Sequence, residues 1–383
     1  MVFISPKNLH ITSKIVERLL LRPVSSLNLN RKMSSGGDDV ILESVNNIGI
    51  ITLNRPKALN AVNLSMVQKI LPTLQEWENT QSFVLIKGAG DKAFCAGGDV
   101  RAVVEAGQKG EKLGHQFFRT EYTMNGLIGN YRIPYVALID GIVMGGGVGL
   151  SVHGHYRICT ERSLFAMPET QIGLFPDVGG SYFLPRLPGR LGYYLALTGH
   201  RLKGADIQKA GIATHYVDSR NMAHLTDELI RCKNHETIRE VLDKFSVIDE
   251  KPFSLKQHQV KIDSYFAAHT MEELYFRLSE DDSEWSRKTL KTLDGMSPTS
   301  MKITLRLLQL GAQANLLECL QMEYRMAVAC LANHDFYEGV RALLIDKDKN
   351  PKWNPATLEE VSSDIVANHF MKLPDSEELR HKL

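Results

Sequence analysis

Apolar residues fall in short, strand-length runs over the first half of this chain and in helical period over much of the second. Residues 40–53 hold two Ile- and Val-rich runs on either side of Asn46-Asn47, which predicts two short strands joined by a turn, with Arg55-Pro56 ending the second. Met66, Ile70, Leu71, Leu74 and Trp77 recur near a 3.6-residue period, predicting a helix over 65–78. Runs at 83–87 and 136–139, closed by Gly88 and by Asp140-Gly141, predict buried strands, and 157–160 and 163–166 predict two more. From Arg190 onward the pattern turns helical. Short helices are expected at 191–197 and 204–210, a strand at 215–217, and amphipathic segments at 226–231, 238–245, 285–293, 300–310 and 317–330. The reading is α/β to about residue 220 and helical over 221–383.

Composition narrows the classes. With 383 residues, 43% hydrophobic, 23% charged and a formal net charge of +1, the chain has the make-up of an ordinary globular protein and no excess of either charge. Nothing points to a nucleic-acid or membrane-surface binder. The five cysteines (95, 159, 232, 319 and 330) are odd in number and never spaced C-x-x-C, so neither a disulfide framework nor a zinc site is indicated. Residues 1–38 differ from the rest: up to Gly37, Lys7, Lys14, Arg18, Arg22, Arg31 and Lys32 face a single acid, Glu17, among recurring serines. That composition reads as a mitochondrial transit peptide, which places the protein in the matrix. The terminal His381-Lys382-Leu383 is only loosely similar to a peroxisomal signal.

The chemistry concentrates in three places. Met167 to Gly180, M-P-E-T-Q-I-G-L-F-P-D-V-G-G, sets Glu169 and Asp177 in an otherwise apolar segment. Apolar walls raise carboxyl pKa values, as acid/base and nucleophilic chemistry requires. Upstream lie two glycine turns, Phe94-Cys95-Ala96-Gly97-Gly98-Asp99 and Asp140 to Leu150, the second opening a helix. One amide from each, aimed at one carbonyl oxygen, makes an oxyanion hole, whereas either turn taken alone is more simply a packing device. No G-x-G-x-x-G can be read there, and no G-x-S-x-G occurs in the chain. His153 and His155 form an H-x-H pair without a matching third ligand, so no metal site is assigned, and Cys95 has no recognisable base.

C-A-G-G-D, then D-G-I-V-M-G-G-G, then M-P-E resemble in order and spacing the enoyl-CoA hydratase/isomerase (crotonase) superfamily. The resemblance runs from Asn54-Arg55-Pro56-Lys57-Ala58-Leu59-Asn60-Ala61 to about Val217 and, more loosely, through the C-terminal helices. It implies a crotonase-like spiral of ββα units over 39–220, with the helical region covering the site. It further implies an acyl-CoA substrate lying along Lys57, Ala58 and Ala96, and an oxyanion hole from the Gly98 and Gly146 amides. Catalytic carboxylates at Glu169 and Asp177 and a substrate contact from Glu121 are carried over in the same way. No separate cofactor is implied, since CoA belongs to the substrate, and homo-oligomers are frequent in the superfamily.

Hydratases of the superfamily carry a second glutamate where this chain has Gly149, and lack Asp177. That departure, with the later H-D-F-Y-E-G-V-R-A-L-L-I-D-K-D over 334–348, resembles the branch that hydrolyses short 3-hydroxyacyl-CoA thioesters in branched-chain amino-acid breakdown. The resemblance leaves open whether Glu169 attacks the carbonyl directly or activates water. A hydratase or isomerase, or a non-catalytic acyl-CoA binder, are the competing readings.

Overall fold

The computed structural model describes residues 37–380. The leader, apart from residues 37 and 38, and the three C-terminal residues lie outside that range. Asn46 (φ 53°) and Asn47 (φ 65°) both take the left-handed backbone, which matches the twist of a two-residue hairpin. Strands β1 (Val40–Val45) and β2 (Ile48–Leu53) accordingly pair antiparallel. Helix α1 (Leu64–Thr80) follows, capped by the Asn63 side chain accepting from the Met66 amide. It buries Met66, Val67, Ile70, Leu74 and Trp77.

Three similar turns of chain come next. β3 (Phe83–Gly88) leads to β4 (Ala93–Cys95), β5 (Tyr135–Ile139) to β6 (Ile142–Met144), and β7 (Tyr156–Cys159) to β8 (Leu164–Ala166). In each, the first strand joins one sheet and the second joins another. With β9 (Leu202–Lys203) and β10 (His215–Tyr216), the sheets run β1-β2-β3-β5-β7-β10 and β4-β6-β8-β9. All pairings are parallel except β1 with β2 and β8 with β9. This is the spiral of ββα units that the motifs implied. The two glycine turns are shorter than the sequence reading drew them: Phe94-Cys95 and Ile142 to Met144 are strands of the second sheet.

Helices α2 (Val100–Gln108), α3 (Leu113–Gly129), the one-turn α4 (Gly146–Gly149) and α5 (Gly180–Phe183) complete the turns of the spiral. The pattern did not announce α3 because its buried face mixes Phe117, Phe118 and Tyr122 with Glu121 and Asn125.

The larger sheet is covered on both faces, hence its continuous apolar strands. Ile51, Val84, Ile86, Ala137 and Ile139 belong to the main core. Ile48, Ile50, Leu85, Val136 and Leu138 face a second cluster. Helices α6 (Met222–Leu229) and α7 (His235–Phe245) close that cluster with Leu225, Leu229, Ile238 and Leu242. The first part of the helical region thus covers the sheet's far side. α8 (Pro298–Gly311), α9 (Leu316–Ala332) and α10 (His334–Val340), followed by a π-helical turn over Arg341–Ile345, build the other side.

The Asn54 to Ala61 segment is pinned to the first glycine turn. Fully buried Asn60 accepts from the Arg55 amide (2.9 Å) and donates to the carbonyls of Ala89 (2.9 Å) and Ala93 (2.8 Å). The Arg55 guanidinium pairs with Asp99 at 2.9 Å. Asn60→Ala leaves three backbone groups unpaired in a buried setting and should destabilise the fold by about 3 kcal/mol. Urea unfolding followed by circular dichroism checks this, and a loss below about 1 kcal/mol would show that water takes the place of the side chain.

Candidate active site

The two glycine turns meet because β4 and β6 are neighbours in the smaller sheet. A Cβ on Gly147 would lie 2.3 Å from the Cys95 carbonyl oxygen, so only glycine lets α4 approach the first turn this closely. At Gly146 a Cβ would fall 3.1 Å from the Gly98 nitrogen and 2.6 Å from Glu121 Oε1. Gly146 is the first residue of α4, where a helix amide has no acceptor within the helix. Among the described residues neither the Gly98 nor the Gly146 amide has a protein acceptor.

A cavity of about 230 Å³ opens at this point. It is lined by Gly98, Gly146, Glu121, Glu169 and Asp177 and walled by Phe117, Phe118, Leu174, Leu343 and Leu344. All five sequence-derived site residues therefore share one space. Glu121 lies on the buried face of α3 and is 1% exposed, so it is no surface carboxylate. Ala96 also lines the cavity, and its amide donates to the Leu59 carbonyl at 3.0 Å, which ties the segment carrying exposed Lys57 and Ala58 to it.

The three carboxylates differ in their partners. The Tyr122 hydroxyl donates to Asp177 Oδ2 at 2.6 Å. Glu121 Oε1 and Glu169 Oε2 are buried without any hydrogen-bond partner. Burial raises all three carboxyl pKa values. For Asp177 the Tyr122 bond offsets part of that, leaving it at about 6. Glu121 and Glu169 go well above the carboxylate range, first through desolvation and then through repulsion by Asp177. None of the three has a Lys, Arg or His partner among the described residues. Like charges this close do not all ionise together, and Asp177 is the one whose charged form is supported.

The turn carrying Asp177 is strained. Val178 has φ 53°, an outlier for a β-branched residue, costing on the order of 1–3 kcal/mol. The Val178 carbonyl accepts from His153 Nε2 at 2.7 Å. His155 faces elsewhere, its Nδ1 accepting from the Tyr135 amide at 3.2 Å, so the H-x-H pair does not converge. Among the described residues no group of three or more His, Cys, Asp or Glu is arranged to hold a metal ion. Cys95 is fully buried with its thiol pushed up to about 12.

Sequence reasoning missed Glu323 of α9, which grips the residues after Asp177, and the Leu343-Leu344 wall. The readable signal for Glu323 was a carboxylate on the apolar face of a helix, between Leu320 and Ala327.

The profile of the enoyl-CoA hydratase/isomerase family matches residues 48–370, and the chain belongs to that family. Among its relatives, the mitochondrial 3-hydroxyisobutyryl-CoA hydrolase of Xenopus tropicalis is 56% identical over 86% of this chain and 88% of its own. The human protein of the same name is 53% identical over 90% and 92%. A carnitinyl-CoA dehydratase from Mycobacterium thermoresistibile superposes with a TM-score of 0.84 at 36% identity, covering 90% of this chain and 99% of its own. An enoyl-CoA hydratase from Rhodobacter sphaeroides gives 0.81 at 37%, covering 90% and 100%.

Gly149 explains itself sterically. A Cβ there would lie 2.6 Å from the Val178 Cβ and 2.8 Å from Asn125 Nδ2. The turn that presents Asp177 occupies the space a glutamate at 149 would need. Gly149→Glu should therefore create no crotonyl-CoA hydration and should destabilise by about 1–3 kcal/mol through overpacking. Enoyl absorbance and a thermal melt check both, and measurable hydration by a stable variant would show that the turn yields.

Proposed function

We propose that this chain hydrolyses 3-hydroxyisobutyryl-CoA, and also 3-hydroxypropionyl-CoA, to the free hydroxy acid and CoA, the thioester-cleaving step of valine breakdown in the mitochondrial matrix. The observation that carries the reading is one cavity lined by two glycines with unengaged amides together with Glu169 and Asp177, while position 149 holds no glutamate. The names of the relatives agree with it. No helix among the described residues is long and apolar enough to cross a membrane.

In this reading the thioester oxygen sits between the Gly98 and Gly146 amides, which stabilise the negative charge that develops on it. A water oxygen ends on the carbonyl carbon, the C–S bond breaks, and the electron pair leaves on sulfur. A thiol with a pKa of about 8.5 leaves readily as thiolate, so little acid assistance is needed. Hydration of a double bond also requires a proton for carbon, and hence a second acid/base group. Thioester hydrolysis does not, and this accounts for the chemistry proceeding without a glutamate at 149. Either Glu169 attacks the carbonyl carbon to give an anhydride as the thiolate leaves, and Asp177, held ionised by Tyr122, deprotonates the water that opens it; or Glu169 is the general base that takes the proton of the attacking water, and Asp177 orients that water. Glu121 recognises the 3-hydroxyl through its unpartnered oxygen. The reaction so written uses no cofactor.

Glu169→Gln keeps shape and loses charge. Thiol release from 3-hydroxyisobutyryl-CoA should fall at least about a hundredfold while the ester still binds; near-normal turnover by folded protein would remove Glu169 from the chemistry. A second expectation concerns pH. Glu169 and Asp177 must both be ionised for the reaction as written, so activity should be lost as pH falls through the range where this pair takes up protons, which lies above that of ordinary carboxylates; within the pair the Asp177 carboxyl stands at about 6. The Tyr122 bond lowers that pKa, so Tyr122→Phe raises it and moves the limb to higher pH. The variant should lose more activity at pH 6.5 than at pH 8.5, and an unmoved limb would assign it to another group.

A further inference from the structure

Asp177 rides on a turn held at three points. Tyr122 binds its carboxylate and His153 binds the Val178 carbonyl. The third hold comes from across the molecule. Glu323 Oε2 accepts from the Gly179 amide at 2.7 Å, and Glu323 Oε1 accepts from the Ser181 amide at 3.0 Å and the Ser181 hydroxyl at 2.5 Å. These donors belong to the start of α5, whose own N-cap residue is Gly179, without a side chain to cap it. Glu323 supplies that cap from α9.

The arrangement is expensive for a purely architectural contact. Glu323 is fully buried, and desolvation pushes its carboxyl up to about 8. Among the described residues it has no cationic partner; three donors offset only part of that rise. Next to it stands Val178 at φ 53°, a conformation that persists only while the surroundings impose it, followed by Gly179 at φ 85°, which glycine takes freely. α8 closes the turn from behind, since a Cβ on Gly311 would lie 2.2 Å from the Ser181 carbonyl oxygen.

We propose that Glu323 is a positioning residue for hydrolysis: by gripping Gly179 and Ser181 it fixes the strained turn that aims Asp177 at the reacting carbonyl. The proposal rests on the hydrolase reading above and goes beyond it, because Glu323 touches no part of the cavity. Its side chain acts only through residues 177–181, so its loss should appear in turnover and not in substrate binding. It should also count for little once Asp177 itself is gone.

The test uses the whole chain and 3-hydroxyisobutyryl-CoA, with thiol release as the readout. Gln keeps the volume of Glu323 but turns a donor toward the Gly179 amide. Glu323→Gln should lower kcat at least tenfold with KM within twofold of the parent. The Glu323→Gln, Asp177→Asn double variant should be no more than threefold slower than Asp177→Asn alone. Retention of kcat within twofold, or losses that multiply in the double variant, would overturn the proposal. Ser181→Ala, which deletes one of the three donors, decides the matter if Glu323→Gln does not fold. It should cost at least threefold in kcat at unchanged KM, and full activity would overturn the proposal. Hydrogen exchange separates this inference from the one beneath it. Amides of residues 177–183 should exchange at least tenfold faster in Glu323→Gln than in the parent, whatever the substrate. Unchanged exchange overturns the grip, whereas a parent chain that releases no thiol overturns the hydrolase reading alone.

Discussion

Three carboxylates share an apolar cavity of about 230 Å³ without a cation among the described residues, and much of the surrounding structure answers to that constraint. A buried carboxylate without a partner either takes up a proton or must be held by donors. Asp177 receives a phenolic donor, while Glu121 and Glu169 each keep a buried oxygen without a partner and rise accordingly. The resulting spread of proton affinities is what a site needs if one group is to act as base while its neighbours stay neutral until substrate and water enter.

The glycines serve the same end from the backbone side. Gly147 lets α4 touch β4, Gly146 leaves its amide open to the cavity, and Gly149 leaves room for the Val178 turn. Replacing a side chain with empty space at 149 is coupled to placing a new carboxylate at 177: the turn that carries the second fills the place of the first. In this chain the Val178 turn, packed beside Asn125, takes the space next to position 149. Solved structures named as a dehydratase and a hydratase share the frame that carries these turns.

Much of this was legible in the chain. Strand runs bounded by Gly, Pro and Asn gave the hairpin and the parallel strands, because a sheet buried on both faces requires unbroken apolar stretches. Three ordered motifs gave the spiral with Gly98, Gly146 and Glu169, the stretch after the third gave Asp177, and Glu121 came from a separate resemblance. The short strands Ala93–Cys95 and Ile142–Met144 were not distinguished from the glycine turns, since three residues carry too little periodicity to show. Helix α3 escaped because polar Glu121 and Asn125 sit on its buried face, where a site rather than a core is being built.

By itself the sequence determined which residue types the chemistry has at hand: two carboxylates in an apolar loop, two glycine turns, and a glycine where the hydratases that the motifs resemble carry a glutamate. These are local facts, written in neighbouring residues. What only the tertiary structure decided is how that loop is held. Tyr122 is 55 residues from Asp177, His153 is 25 from Val178 and Glu323 is 144 from Gly179. Contacts at such separations leave no period or motif in the chain, because they depend on where packed helices and sheets bring side chains together. The left-handed backbone of Val178 is likewise invisible from its identity, since a β-branched residue takes that conformation only when its surroundings impose it.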